Sequence, residues 1–212
     1  MLVLEGTVVD LHAHLERLRH SAGELYRTDL SDDLEARVLA AARSHRRARL
    51  RIVIPADGGP ELEVAPLADP QAAATGDPVT LAPALLPGGL GAHKWRDRRL
   101  LEDLERRLGG VPLLVDLDGD VLEAAHANVW IRDGSTLVTP PLDGRLLPGT
   151  VRARLLADPP AGHTACEERI TRERAAAADE LLLSSSLRGI HPATLAGGRP
   201  APAPPSRVPA FR

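Results

Sequence analysis

Lysine is almost missing from this chain. Of 26 basic residues only Lys94 is a lysine, and the rest are arginine. Where positive charge alone is needed guanidinium serves, so a single retained amine invites a chemical reason. An amine can lose its proton and become a nucleophile or a base, which guanidinium cannot. Cysteine is as scarce. Cys166 stands alone, which excludes an internal disulfide framework and a thiolate cluster for zinc and fits a reducing, cytoplasmic compartment. Aromatic residues make up 2% of the chain, namely Tyr26, Trp95, Trp130 and Phe211. The core must therefore be built from Leu, Val and Ala, and stacking platforms for nucleobases lack material. Positive charge is not in excess either. The formal net charge is −3, and the arginines are interleaved with acids, so no nucleic-acid partner is expected. No apolar run approaches the roughly 18 residues that a membrane span needs, and no charged-then-apolar signal segment opens the chain. No membrane partner is expected.

What is present suffices for one large domain or two small ones, at 212 residues. "MLVLEGTVVDL" alternates around a Glu-Gly pair and predicts a hairpin. "HAHLERLRHSAGELY" has helical spacing, and "SDDLEARVLAAARSH" predicts a second helix capped by Ser31. "RARLRIVIPADGGPELEVAPL" predicts two strands about an Asp-Gly-Gly turn, closing an α+β unit near residue 82. The Pro/Gly-rich "APALLPGGLGA" predicts an inter-domain linker over 83–92. Beyond it, "RDRRLLEDLERRL" is an amphipathic helix, and 111–141 predict short strands turning at Asp118-Gly119 and Asp133-Gly134. "GTVRARLLA" opens another helix, and "TRERAAAADELLLSSSLRG" predicts helix, strand and a hydroxyl-rich turn. The second domain runs over 93–196, and the Pro/Ala-rich tail 197–212 is expected to be disordered. No internal repeat is visible.

Four further features stand beside Lys94. Glu123 follows a strand and precedes a turn of small residues. "LLPGTVR" sets a Pro-Gly turn at a helix start, where unpaired amides and the helix dipole favour an anion. "LLLSSSLRG" ends a strand in three hydroxyls and an arginine, and Arg17 lies in "HLERL". Each alone has an ordinary structural explanation. Together they supply what a pyridoxal phosphate enzyme needs: an amine to bond the cofactor's aldehyde carbon, an acid facing its ring nitrogen, and a cradle for its phosphate.

In this the chain resembles the class IV aminotransferase family, the fold-type IV pyridoxal phosphate enzymes, and within it the 4-amino-4-deoxychorismate lyases. The resemblance rests on "HLERLRHSA" (14–22), "HKWRDRR" (93–99), "DVLEAAHANVWI" (120–131), "TPPLDGRLLPGTVRARLL" (139–156) and "SSLRGIHPA" (185–193), five pieces in the family's order. It implies an α+β, two-domain fold like that of D-amino-acid aminotransferase, with a smaller N-terminal α/β domain (1–82) and a larger C-terminal domain holding a β-barrel-like sheet. It implies pyridoxal 5′-phosphate as cofactor, with Lys94 as the catalytic amine and Glu123 against the ring nitrogen. Arg17, Thr150, Val151 and Ser186 fall at phosphate-binding positions, and Arg188 at a place to meet a substrate carboxylate. A small-molecule substrate, a homodimer whose subunits share their sites, and a functional link to aminodeoxychorismate synthase are the partners implied. The reaction implied is release of p-aminobenzoate and pyruvate. The alternatives are a transaminase acting on branched-chain or D-amino acids, and a cofactor-binding relative with reduced or lost activity. The chain departs from the family's pattern in three places. Trp95-Arg96 follow the lysine, Ala125-His126-Ala127 stand where hydroxyls are common, and the family's leading strand is absent or begins before Met1.

Overall fold

The computed structural model describes residues 1–55, 58–68 and 77–197, and the chain divides into two compact units, 1–75 and 76–212. In the first, β1 (Leu2–Leu4) and β2 (Thr7–Val8) form the expected hairpin across Glu5-Gly6. Helices α1 (Leu11–Tyr26) and α2 (Leu34–Ala42) follow, then β3 (Arg47–Val53) and β4 (Glu61–Pro66). The sheet order is β2-β1-β3-β4. Its core is aliphatic, as the shortage of aromatics requires: Val3, Leu15, Val38 and Leu50 are each at most 1% exposed. Ser31 is not the cap of α2. The helix begins beyond Asp33, and Ser31 only offers its carbonyl to the Leu34 amide, because Asp32 and Asp33 occupy a turn before the apolar spacing starts.

The second unit opens with β5 (Val79–Leu85) and α3 (Arg99–Leu108). A run of strands follows: β6 (Val111–Val115), β7 (Val121–Ala124), β8 (Ala127–Asp133) and β9 (Thr136–Thr139). Then come α4 (Thr150–Ala157), β10 (Thr164–Glu167), α5 (Arg172–Ala177), β11 (Glu180–Ser185) and β12 (Gly189–Leu195). The order β8-β11-β12-β5-β6-β7 closes on itself through β7–β8 pairing, giving a six-stranded barrel, and β9 and β10 extend it beyond β8. The barrel is filled by Leu81, Leu113, Val129, Ile131, Leu183 and their neighbours. Outside it, α4 packs on Trp130 and Leu182, and α3 on Leu114 and Leu122.

The 83–92 segment is not a linker. Residues 83–85 complete β5, which lies parallel to both β12 and β6 with Pro83 opposite Leu113. A strand flanked on both sides by parallel neighbours loses the alternation that marks a half-exposed one, and Pro83 then mimics a break. The proposed tail lies outside the described residues except for Gly197, in a turn after β12.

One irregularity matters for the site. Leu113 pairs with Ala124 and Val115 with Val121, so β7 holds one residue more than β6 over this stretch. Val121 and Ala124 both join the barrel core, although alternation would send them to opposite faces. This bulge re-aims the intervening side chains, and one of them is Glu123.

Candidate active site

Glu123 lies within β7 rather than after it, is 6% exposed, and pairs across the hairpin with Asn128. Burial pushes its carboxyl up to about 7, against the opposing pull of the Leu147 amide and the charges of Lys94 and Arg98. Its Oε2 accepts from the Leu147 amide at 3.4 Å. On β8, Asn128 is buried and its Nδ2 donates to the Leu147 carbonyl at 2.8 Å. Two neighbouring strands thus hold one residue of the β9–α4 loop by both its backbone groups.

That loop leads into α4 through Gly149, which has no side chain to cap the helix. A Cβ there would lie 1.9 Å from Asn128 Oδ1, so only glycine lets the loop approach so closely. Thr150 opens the helix, buried, and its hydroxyl has no hydrogen-bond partner among the described residues. The first-turn amides have no acceptor within the helix by geometry, so this corner joins an orphan hydroxyl to the positive end of a helix dipole. The Val151 side chain packs in the apolar layer with Trp130 and Leu155, and its amide belongs to the same first turn. Arg152, 1% exposed, anchors α4 from beneath by donating to the Pro140 carbonyl at 2.7 Å and pairing with Glu167.

Lys94 sits in the loop between β5 and α3, exposed, and its charge reaches both Glu123 and His126. The loop is fastened on several sides. The Leu86 amide donates to the Val115 carbonyl at 2.9 Å, the Gly88 amide to Asp116 Oδ1 at 3.1 Å, and the Gly91 amide to the Arg145 carbonyl at 3.2 Å. Trp95 Nε1 donates to the Leu90 carbonyl at 2.9 Å. At the start of α3, Arg98 donates to the Ala125 carbonyl and meets His126 Nδ1 at 2.9 Å. Burial, then the Arg98 charge, hold His126 below the usual imidazole range.

The hydroxyl run divides. Ser184 and Ser185 belong to β11: Ser184 accepts from Trp130 Nε1 at 2.9 Å and lies opposite Asn128, and Ser185 Oγ accepts the Arg188 amide at 3.4 Å. Ser186 and Arg188 lie in the tight turn before β12, Ser186 half-buried and Arg188 exposed. Beneath them, burial and the Arg188 charge push His191 down to about 4. Arg17 is half-buried on α1 of the first unit, where burial lowers its pKa.

The second unit thus brings Lys94 into electrostatic reach of Glu123 and fixes Glu123 to the loop that leads into Thr150. Sequence reasoning missed Asn128 and Arg145, and it marked the Pro148-Gly149 turn without seeing that Gly149 makes room for Asn128. Asn128 was within sight, at the far side of the turn that follows Glu123, but its partner lies a strand, a hairpin and a loop further on.

The family model for amino-transferase class IV matches residues 1–196. The chain belongs to that family, whose members are pyridoxal phosphate enzymes. A putative amino-acid aminotransferase from Mesorhizobium loti is 28% identical, with TM-score 0.76, over 92% of this chain and 97% of that one. 4-Amino-4-deoxychorismate lyase from Pseudomonas aeruginosa is 25% identical, with TM-score 0.72, over 92% and 81%. A hypothetical aminotransferase from Mycobacterium tuberculosis in its PLP-bound form shares the fold, with 24% identity and TM-score 0.80 over 96% and 82%. No curated protein matches the chain. No helix among the described residues is long and apolar enough to cross a membrane.

Proposed function

We propose that this chain is a pyridoxal 5′-phosphate-dependent lyase that converts 4-amino-4-deoxychorismate to p-aminobenzoate and pyruvate, a step of folate biosynthesis. The observation that carries the reading is a lone amine set within electrostatic reach of a buried carboxyl, which burial holds protonated to about pH 7. Beside them lies a glycine-made approach to a helix start with an orphan hydroxyl. These residues fit the cofactor. The backbone amides of Thr150 and Val151, the Thr150 hydroxyl and Ser186 suit its phosphate. When bound, the cofactor supplies a protonated ring that takes up the electron pair left by a bond broken at the substrate carbon.

The chain's own groups do the rest. Glu123 would hold a proton at the ring nitrogen, because a buried carboxylate is stabilised by a cationic partner beside it. Lys94 takes the proton from the substrate's C4 and returns it to the carbon of the departing enolpyruvate, which leaves as pyruvate while the six-membered ring becomes aromatic. Arg188 is proposed to face one of the substrate's two carboxylates, which a guanidinium can grip at two oxygens. A homodimer with shared sites and a functional link to aminodeoxychorismate synthase belong to the same proposal.

A transaminase is the second reading, favoured by the likeness to the Mesorhizobium loti protein over 97% of that chain. One assay separates the two. Purified protein with 4-amino-4-deoxychorismate should release pyruvate and p-aminobenzoate with no keto acid added. Release that depends on a keto-acid acceptor, or amino transfer without pyruvate, favours the transaminase.

Gly149→Ala tests the phosphate corner. The added methyl group meets Asn128 Oδ1, and relieving such a contact costs about 1–3 kcal/mol. If the loop shifts away from the corner, pyridoxal phosphate should bind roughly 10–100-fold more weakly in an absorbance titration. Unchanged affinity would place the phosphate elsewhere.

A further inference from the structure

Arg145 is absent from every role assigned so far, yet it touches three loops at once. Its guanidinium meets Asp116 at 2.7 Å, Asp143 at 2.6 Å and Asp120 at 3.2 Å. Asp120 is 3% exposed, so this charge needs its partner. The Arg145 carbonyl accepts from the Gly91 amide at 3.2 Å. Gly89 lies so close to that carbonyl that a Cβ would stand 2.1 Å from its oxygen. Asp116 works in both directions, accepting from Arg145 and from the Gly88 amide. One residue therefore joins the β6–β7 turn through its side chain to the Lys94 loop through its backbone. Along the chain it is followed directly by Leu146 and Leu147, and Leu147 is the residue held by Glu123 and Asn128.

We propose that Arg145 is a positioning residue for the reaction proposed above: it sets the Lys94 loop and the Glu123-bound loop in one register, without touching substrate or cofactor. The inference rests on that functional reading. Its physical basis is that four carboxylates, of Asp116, Asp118, Asp120 and Asp143, converge on one guanidinium, whose fork geometry a lysine does not reproduce. Releasing it frees the backbone carbonyl that seats Gly89 and Gly91, and the amine then loses its fixed distance from the buried carboxyl. Arg169 provides the internal contrast. It pairs with Asp118 and Asp120 of the same turn, and among the described residues its side chain makes no hydrogen bond to the Lys94 loop or the β9–α4 loop.

The experiment compares Arg145→Met, Arg169→Met and Gly89→Ala in the cofactor-loaded protein. Arg145→Met should lower kcat on the order of 10²-fold, the size of effect that misplacing a reacting group by about an ångström produces, with KM changed less than about threefold. Borohydride reduction should attach the cofactor to Lys94 more slowly in the same variant. This readout needs no substrate, so it stands even if the lyase assignment fails and kcat is measured by amino transfer. Arg169→Met should lose thermal stability but keep its kcat and its labelling rate. Gly89→Ala, which forces the loop and the Arg145 carbonyl apart and removes no charged group, should reproduce the kcat loss, and it serves alone if Arg145→Met does not fold. Equal losses of kcat in Arg145→Met and Arg169→Met, or wild-type labelling of Lys94 in both Arg145→Met and Gly89→Ala, would overturn the proposal.

Discussion

Replacing Lys94 with alanine is expected to reduce turnover about 10²- to 10⁴-fold, the range that a positioned proton-transfer group contributes, while the fold survives. Lys94 is exposed on a loop, so its truncation opens no cavity. Lys94→Arg is the sharper variant. It keeps the positive charge that bears on Glu123 and His126, yet it cannot lose a proton or bond an aldehyde carbon as the amine does. If the lysine acts only as a charge, Lys94→Arg should retain most of the activity. If it carries the proton at C4, Lys94→Arg should be as inactive as Lys94→Ala. Borohydride reduction of the wild type followed by peptide mapping should place the pyridoxyl label on Lys94. Unlabelled Lys94 recovered from protein shown to hold the cofactor would end this assignment.

Lys94, Glu123 and the Thr150 corner were legible because each leaves a local mark: a lone amine, an acid before small residues, a Pro-Gly turn before apolar helical spacing. The barrel was legible only through the family resemblance. The end of its parallel strand β5 reads as linker, because Pro83 mimics a break and the partners of the strand are distant in sequence. The bulge that turns Glu123 toward Leu147 has no signature in "DVLEAAHAN", since it is defined by the count of residues on β6. The same holds for Ser184. Nothing in "SSSLRG" says which hydroxyl faces Trp130, because strand register decides it. The Arg145 network is the extreme case. "DLDGD" and "LDGRLLPG" each look like solvated turns, and only the closed barrel sets them side by side.

Glu123 allows the chemistry to be separated from binding and from folding. Glu123→Ala should still hold the cofactor, because the phosphate corner at Gly149–Thr150 is left intact, but elimination should slow on the order of 10–100-fold. That is the rate equivalent of one hydrogen bond to a charged group made at the transition state, roughly 1.5–3 kcal/mol. Equal loss of cofactor and activity would make the residue structural. Stability gives an independent measure. In the apoprotein the Glu123 carboxyl is raised to about 7 by burial, whereas in the unfolded chain it titrates near the ordinary value of about 4.3. Below that ordinary value both states hold the proton and the folded state carries no penalty. As pH rises toward 7 the unfolded chain releases its proton first, so stability falls, by on the order of 3 kcal/mol once the folded-state carboxyl has ionised. His191, pushed down to about 4, has the opposite slope over roughly pH 4–6.5 but is common to both proteins being compared. The stability of wild type minus that of Glu123→Gln, from urea titrations at pH 4 to 8, should therefore fall across this range. Added pyridoxal phosphate, whose ring nitrogen gives the carboxylate a cationic partner, should flatten it. A difference that is already flat in the apoprotein would show that Glu123 is ionised without its cofactor, and the proton assigned to it would have to come from elsewhere.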